Sequence, residues 1–111
     1  MAFEVYLLVL TNGRKPFSEW LGSLDERKTQ LIIDARISHL REGNLGDYKA
    51  VGEGVFELRI DHGPGFRVYF GRRGREIVIL LGGGDKKTEG RDVKHAQELR
   101  RQYEHDYRRL P

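Results

Sequence analysis

The sequence predicts an α+β fold, a small twisted and mostly antiparallel sheet with helices packed on it, in the order β-α-α-β-β-β-β-α. Three observations predict it. Four short segments in the second half carry β-type residues and are separated by turns containing glycine, as in a meander of strands. Three other segments space their apolar residues at the helical period of 3.6. One run, "IVILL", is apolar without alternation, which predicts a strand covered on both faces and lying beside the first strand at the sheet centre.

Taken in order, "FEVYLLVL" is a strand that stops at the turn formers Asn12 and Gly13. "KPFSEWLGSL" sets Phe17, Trp20, Leu21 and Leu24 at i, i+3, i+4, i+7, a short amphipathic helix begun near Pro16. A second helix runs from Asp25 to about Glu42, with Ile33, Ile37 and Leu40 as its stripe and Gly43-Asn44 as its stop. "DYKAVG", "GVFELRID", "FRVYFGR" and "EIVILLGG" are the four meander strands. In "EGRDVKHAQELRRQYEHDYRRL", Val93, Ala96, Leu99, Tyr103, Tyr107 and Leu110 fall at helical spacing, so a third helix is expected to run to the end, its opposite face almost wholly charged.

Composition narrows the function classes. A chain of 111 residues suits one domain, 1–111, and nothing in it reads as linker, repeat or low-complexity segment. No apolar run approaches the ~20 residues of a membrane helix, and the start lacks a basic n-region, so a cytoplasmic protein with no membrane partner is expected. Without cysteine there is no disulfide, thiolate zinc site or cysteine nucleophile, and His39, His62, His95 and His105 show no ligand spacing, so no metal and no cofactor are expected. The net charge is only +3, but 14 of the 20 basic residues are Arg, which favours bidentate contacts to phosphate or carboxylate. "GGGDKKT" departs from a phosphate-binding P-loop, because Lys86 stands where that pattern needs a glycine before Lys87-Thr88. The glycines Gly82 to Gly84 are expected instead to turn the backbone out of the sheet or to admit another backbone.

The alternation makes one sharper prediction. If "VFELRI" and "FRVYF" pair as a hairpin around Asp61 to Gly65, Ile60 faces Phe66 and Arg59 lies directly opposite Arg67. Like charges in that position destabilise a sheet pair, so the arrangement suggests a site for an anion. The alternative for each arginine is a salt bridge, to Glu57 or Asp61 for instance.

The stretch "GNLGDYKAVGEGVFELRIDHGPGFRVYF", followed by "IVILLGGGDKKTEGRDVKHA", resembles the RelE/HigB superfamily of bacterial type II toxins, in the branch of addiction-module killer proteins. The likeness covers essentially the whole chain from "FSEWLGSLD" onward. It implies a RelE-like fold and a ribosome-dependent endoribonuclease that cuts messenger RNA and inhibits translation. The implied partners are the ribosome and mRNA, a cognate antitoxin of helix-turn-helix type, and operator DNA only through the antitoxin complex. An alternative is a non-catalytic RNA- or partner-binding module on the same fold, acting mainly in an antitoxin complex.

Metal-free RNA cleavage needs cations at the scissile phosphate, a base for the attacking 2'-hydroxyl and an acid for the leaving oxygen. Arg67 aligns with an arginine of the family's strand after the glycine turn, and Arg59 with a basic position on the strand before it. Lys86 and Lys87 leave the next strand and Lys49 lies two strands away. Arg59, Arg67, Asp85 and Lys86 are therefore the catalytic candidates, and Lys49, His62, Tyr69 and Lys87 the substrate-binding ones. The acid and base stay open among Asp85, His62, Lys86 and Glu57: some relatives carry a tyrosine near the start of the last helix, where this chain offers Arg91, Asp92, Val93 and His95. His62 has an ordinary pKa of ~6.5 that suits proton transfer, but a turn histidine is equally a solvated one. Asp85 reads equally as a helix cap, and Tyr69 either stacks on a base or shields the sheet. The basic residues of the last helix (Arg91, Lys94, Arg101, Arg108, Arg109) and "GRRGR" read either as solvated surface or as contacts to ribosomal RNA.

Overall fold

The computed structural model describes residues 2–102 and 107–109. Its elements are β1 (Glu4–Leu8), α1 (Pro16–Ser23), α2 (Arg27–Arg41), β2 (Tyr48–Gly52), β3 (Val55–Ile60), β4 (Phe66–Arg73), β5 (Ile77–Asp85), a single 3-10 turn (Lys86–Thr88), α3 (Glu89–Gln102) and β6 (Tyr107–Arg109). The expected α+β order is observed, with one strand added at its end. The strands form one mixed sheet in the order β2-β3-β4-β5-β1-β6. Only β1 and β5 run parallel, with Val5 beside Val78 and Leu7 beside Leu80.

Alternation along the strands divides the core between the two faces. Leu58, Ile60, Val68, Phe70, Val78 and Leu80 pack against Phe17 of α1 and Ile33, Ile37 and Leu40 of α2. On the other face Val55, Tyr69, Ile79 and Leu81 pack against Ala96 and Leu99 of α3. "IVILL" thus feeds both clusters, which is why it shows no polar alternation, and β5 lies between β4 and β1 as expected. α2 ends where Gly43 adopts φ 94°, a left-handed conformation that glycine takes without steric cost.

Two expectations fail. The last helix does not run to the end: it is described as Glu89–Gln102, Tyr107 lies in β6, paired antiparallel to β1 with Tyr107 opposite Leu8, and Tyr103 and Leu110 fall outside the described residues. The outer edge of β1 offers a row of backbone donors and acceptors, and pairing there competes with a helical period that lacks a face to bury. Nor do Gly82 to Gly84 turn the chain out of the sheet: β5 continues through them to Asp85, with a register shift against β4 at Leu81. Among the described residues no helix is long and apolar enough to cross a membrane.

Candidate active site on the α3 face

The hairpin register is the one the sequence predicts, with Arg59 opposite Arg67 and Ile60 opposite Phe66. Since Ile60 and Phe66 turn toward α1 and α2, the two arginines point to the α3 face together with Glu57 and Tyr69, the next pair along the ladder. Glu57 has no exposed surface. Its Oε1 accepts a hydrogen bond from Arg59 Nε at 2.9 Å and lies 3.4 Å from Arg67 Nε. Two guanidinium groups therefore do converge on one oxygen, and it belongs to the carboxyl of the chain's own Glu57.

α3 completes the cluster. Its first residue, Glu89, accepts from Arg67 Nε through Oε2 at 3.3 Å, so Arg67 bridges two carboxylates while its side chain stays only 12% exposed. Burial, and then hydrogen bonding with Glu89, raises the Glu57 carboxyl above its ordinary pKa. Glu89 moves the other way, lowered first by the hydrogen bond with Glu57 and further by Arg67 and Lys49. Glu57 Oε2 meets no donor among the described residues, and the raised pKa favours a proton on this carboxyl, toward which Glu89 acts as acceptor. The arrangement is a carboxyl pair with pKa values pushed apart, beside a double cation.

The other expected site residues divide between this cluster and the rest of the fold. Lys49, exposed on the edge strand β2, pairs in register with Glu57 and joins the cluster electrostatically. Lys86 donates its backbone N–H to Gly65, and a Cβ on that glycine would lie 3.6 Å from Lys86 Cβ and 3.9 Å from Arg67 Nη1, so Lys86 leaves the sheet next to Arg67. Lys87 is exposed on the 3-10 turn.

Asp85, His62 and Tyr69 are placed otherwise. Asp85 pairs with Phe66 and not with Arg67, and its Oδ1 accepts from the backbone N–H groups of Lys87 and Thr88. It caps the 3-10 turn, the structural alternative that its position before a helix already suggested. His62 turns toward α2, with Nε2 3.4 Å from Thr29 Oγ1 and its ring stacked 6.4 Å from Phe66. Tyr69 lies on the Arg67 face as expected but is 1% exposed beneath α3, so its ring shields the sheet and offers no platform for stacking a base. Among the described residues no three His, Asp or Glu side chains gather as metal ligands.

Part of the basic outer surface is committed to structure. Arg72 lies over the Phe3 ring at 5.1 Å, Arg100 donates to the Arg72 carbonyl, and Arg101 pairs with Glu53 at 2.6 Å. Sequence reasoning missed Glu89. Its only local signal is an acidic residue in the first turn of a helix, which many helices carry for reasons of their dipole alone.

A relative from Haemophilus influenzae, described only as an uncharacterized protein, is 48% identical over 83 residues, which cover 75% of this chain and 84% of that protein. Residues 19–106 match the family described as Phage derived protein Gp49-like (DUF891), a stretch that holds the hairpin, Glu57 and Glu89. The chain therefore belongs to the Gp49-like family, a family of addiction-module toxins.

Proposed function

We propose that this chain is the toxin of a type II toxin-antitoxin pair, and that it cuts messenger RNA on the ribosome without a metal in its own site. The observation that carries the reading is the convergence of Arg59 and Arg67 on a single oxygen. A phosphate oxygen in that position meets two charge-assisted donors. The 2'-oxygen of the RNA attacks phosphorus, the bond to the 5'-oxygen breaks, and the arginines stabilise the charge that builds on the phosphorane. The upstream product is a 2',3'-cyclic phosphate, or a 3'-phosphate after hydrolysis, and the downstream product carries a 5'-hydroxyl.

Glu57 and Glu89 supply the proton transfers in this scheme. Two carboxyls whose surroundings push their pKa values apart are suited to opposite roles. The raised Glu57 holds the proton for the leaving 5'-oxygen, and the lowered Glu89 receives the one from the 2'-hydroxyl. Both carboxylates are already tied to Arg67, so substrate must loosen these contacts to enter. An ordered message in the decoding site provides the in-line geometry that makes this exchange productive.

The test is cleavage of a defined message on purified ribosomes and as free RNA, with the product ends mapped. Cutting only on ribosomes, with 5'-hydroxyl ends, is expected. Magnesium-dependent cutting of naked RNA that leaves 5'-phosphates would sink the mechanism. A second reading is favoured by the same ion pairs: a binding module whose charge network is structural. Growth arrest that Arg67→Ala leaves intact would select it.

A further inference from the structure

Three consecutive glycines end β5, and side-chain packing accounts for two of them. A Cβ on Gly83 would collide with the Trp20 ring, and one on Gly84 with the Asp92 carboxylate. Gly82 is different. Its backbone lies outside the left-handed region, it pairs with Tyr69 inside the ladder, and a Cβ on it would meet nothing within 4 Å. Glycine weakens a strand and marks either a bulge, such as the register shift that skips Leu81 beside Gly82, or the close approach of a ligand. The bulge needs no glycine on the open side, so the empty space points to the second.

The empty space beside Gly82 belongs to a cleft of about 340 Å³ between α1 and α3. Trp20, Leu81, Ala96 and Leu99 supply apolar walls, and Asp92 and His95 bring polar groups to it. Tyr69 also lines the cleft, and its buried hydroxyl has no hydrogen-bond partner among the described residues. Such a group is costly to leave unpaired. The backbone adds a further polar edge. The β1 ladder reaches β5 only as far as Leu80, and successive residues of an antiparallel strand turn their N–H and C=O to opposite sides. Of Gly82 and Gly83, one therefore turns both groups away from β4, beyond the last pair of the β1 ladder.

We propose that this cleft binds one nucleobase of the RNA, and that Gly82 keeps the seat open for it. A flat ring with donors and acceptors on its edge matches apolar walls, the polar groups of Asp92 and His95 and an unpaired hydroxyl, whereas a hydrocarbon side chain would leave those polar groups unmet. The choice of RNA rests on the cleavage reading above. The cleft and the arginine pair flank one turn of α3: Glu89 reaches Arg67, and Asp92, three residues on, lines the cleft. A base seated here belongs to a nucleotide near the scissile phosphate.

Trp20 is the chain's single tryptophan, so its fluorescence reports the cleft directly. The intact protein is titrated with nucleoside 3'-monophosphates, with ribose 5-phosphate and with N-acetylphenylalaninamide as a stand-in for a protein side chain. Saturable quenching by the nucleotides alone is expected. Gly82→Val should weaken it by about tenfold or more, as expected when an alkyl group obstructs a ring's seat, with an unchanged thermal midpoint. Ala96→Leu, which narrows the opposite wall, carries the test if the valine variant does not fold. Absence of quenching, or equal quenching in the obstructed variants, overturns the proposal, and so does quenching by the amide alone. Nucleotide quenching that Gly82→Val abolishes, in a protein that cuts no message, would uphold the base site while the cleavage reading fell.

Discussion

The two faces of this sheet are built from alternate residues of the same strands and have been put to opposite uses. Toward α1 and α2, Leu58, Val68, Phe70, Val78 and Leu80 are fully enclosed among other apolar side chains. Toward α3, a smaller apolar cluster of Val55, Ile79 and Leu81 adjoins Glu57, Arg59, Arg67 and Tyr69, with a buried carboxyl oxygen and a buried hydroxyl that find no partner among the described residues. A sheet with one dry face can keep a polar, partly unsatisfied one on the other side. The difference separates two roles: the larger enclosed core lies under α1 and α2, and the proposed site under the start of α3.

Substitutions that separate the faces test this contrast. The largest loss of stability is expected on the dry face, where Leu80→Ala should cost about 2–5 kcal/mol in denaturant unfolding. Wild-type-like stability in that variant would mean that this face does not carry the core. On the α3 face, Arg67→Ala should slow cleavage on the ribosome by about 10²-fold or more. It should also cost about 1–3 kcal/mol, because Glu57 stays buried with one cation fewer. A stability loss accompanied by an unchanged rate would show that Arg67 serves the fold alone.

The carboxyl pair makes a pH prediction whose sign differs for its two members. Glu57 has a raised folded-state pKa, so the native protein keeps a proton that the unfolded chain has released above 4.5, and stability falls as pH rises from there toward the folded value. Glu89 is lowered, so its contribution is present above 4.5 and is lost as pH falls through its folded value. Unfolding followed from about pH 4 to about pH 9 should therefore show a maximum in the ordinary carboxylate range. Glu57→Gln should remove the decline on the alkaline side and leave the loss in acid; a profile identical to wild type would show that the two carboxyls do not share a proton. The smallest effect is expected at the exposed end of the β4–β5 hairpin, where Arg73→Ala should leave the rate within about twofold of wild type, as surface charges do.

Arg59 and Arg67 illustrate what could be read early. Strand side chains alternate with a period of two, so the turn Asp61 to Gly65 was enough to set one arginine against the other. The same residues show where such reading stopped. Whether each arginine waits for a phosphate or pairs with Glu57 could not be decided from spacing, and in the structure both pair with Glu57. Asp85 and His62 have the right chemistry for a nuclease, yet a cap and the packing against α2 claim them. Tyr107 kept the helical period and became a strand because β1 offered an unfilled edge.

By itself, then, the sequence determined which residues share a face: the hairpin register and the two-sided burial of β5 follow from short-range periodicity and turn chemistry. Only the tertiary structure decided what each face meets. Glu89 reaches Arg67 from 22 residues away in the chain, and Trp20 comes to rest on Gly83 across the sheet from α3. Contacts of that kind depend on how helices dock on a sheet, a balance of packing over the whole domain that no local pattern contains.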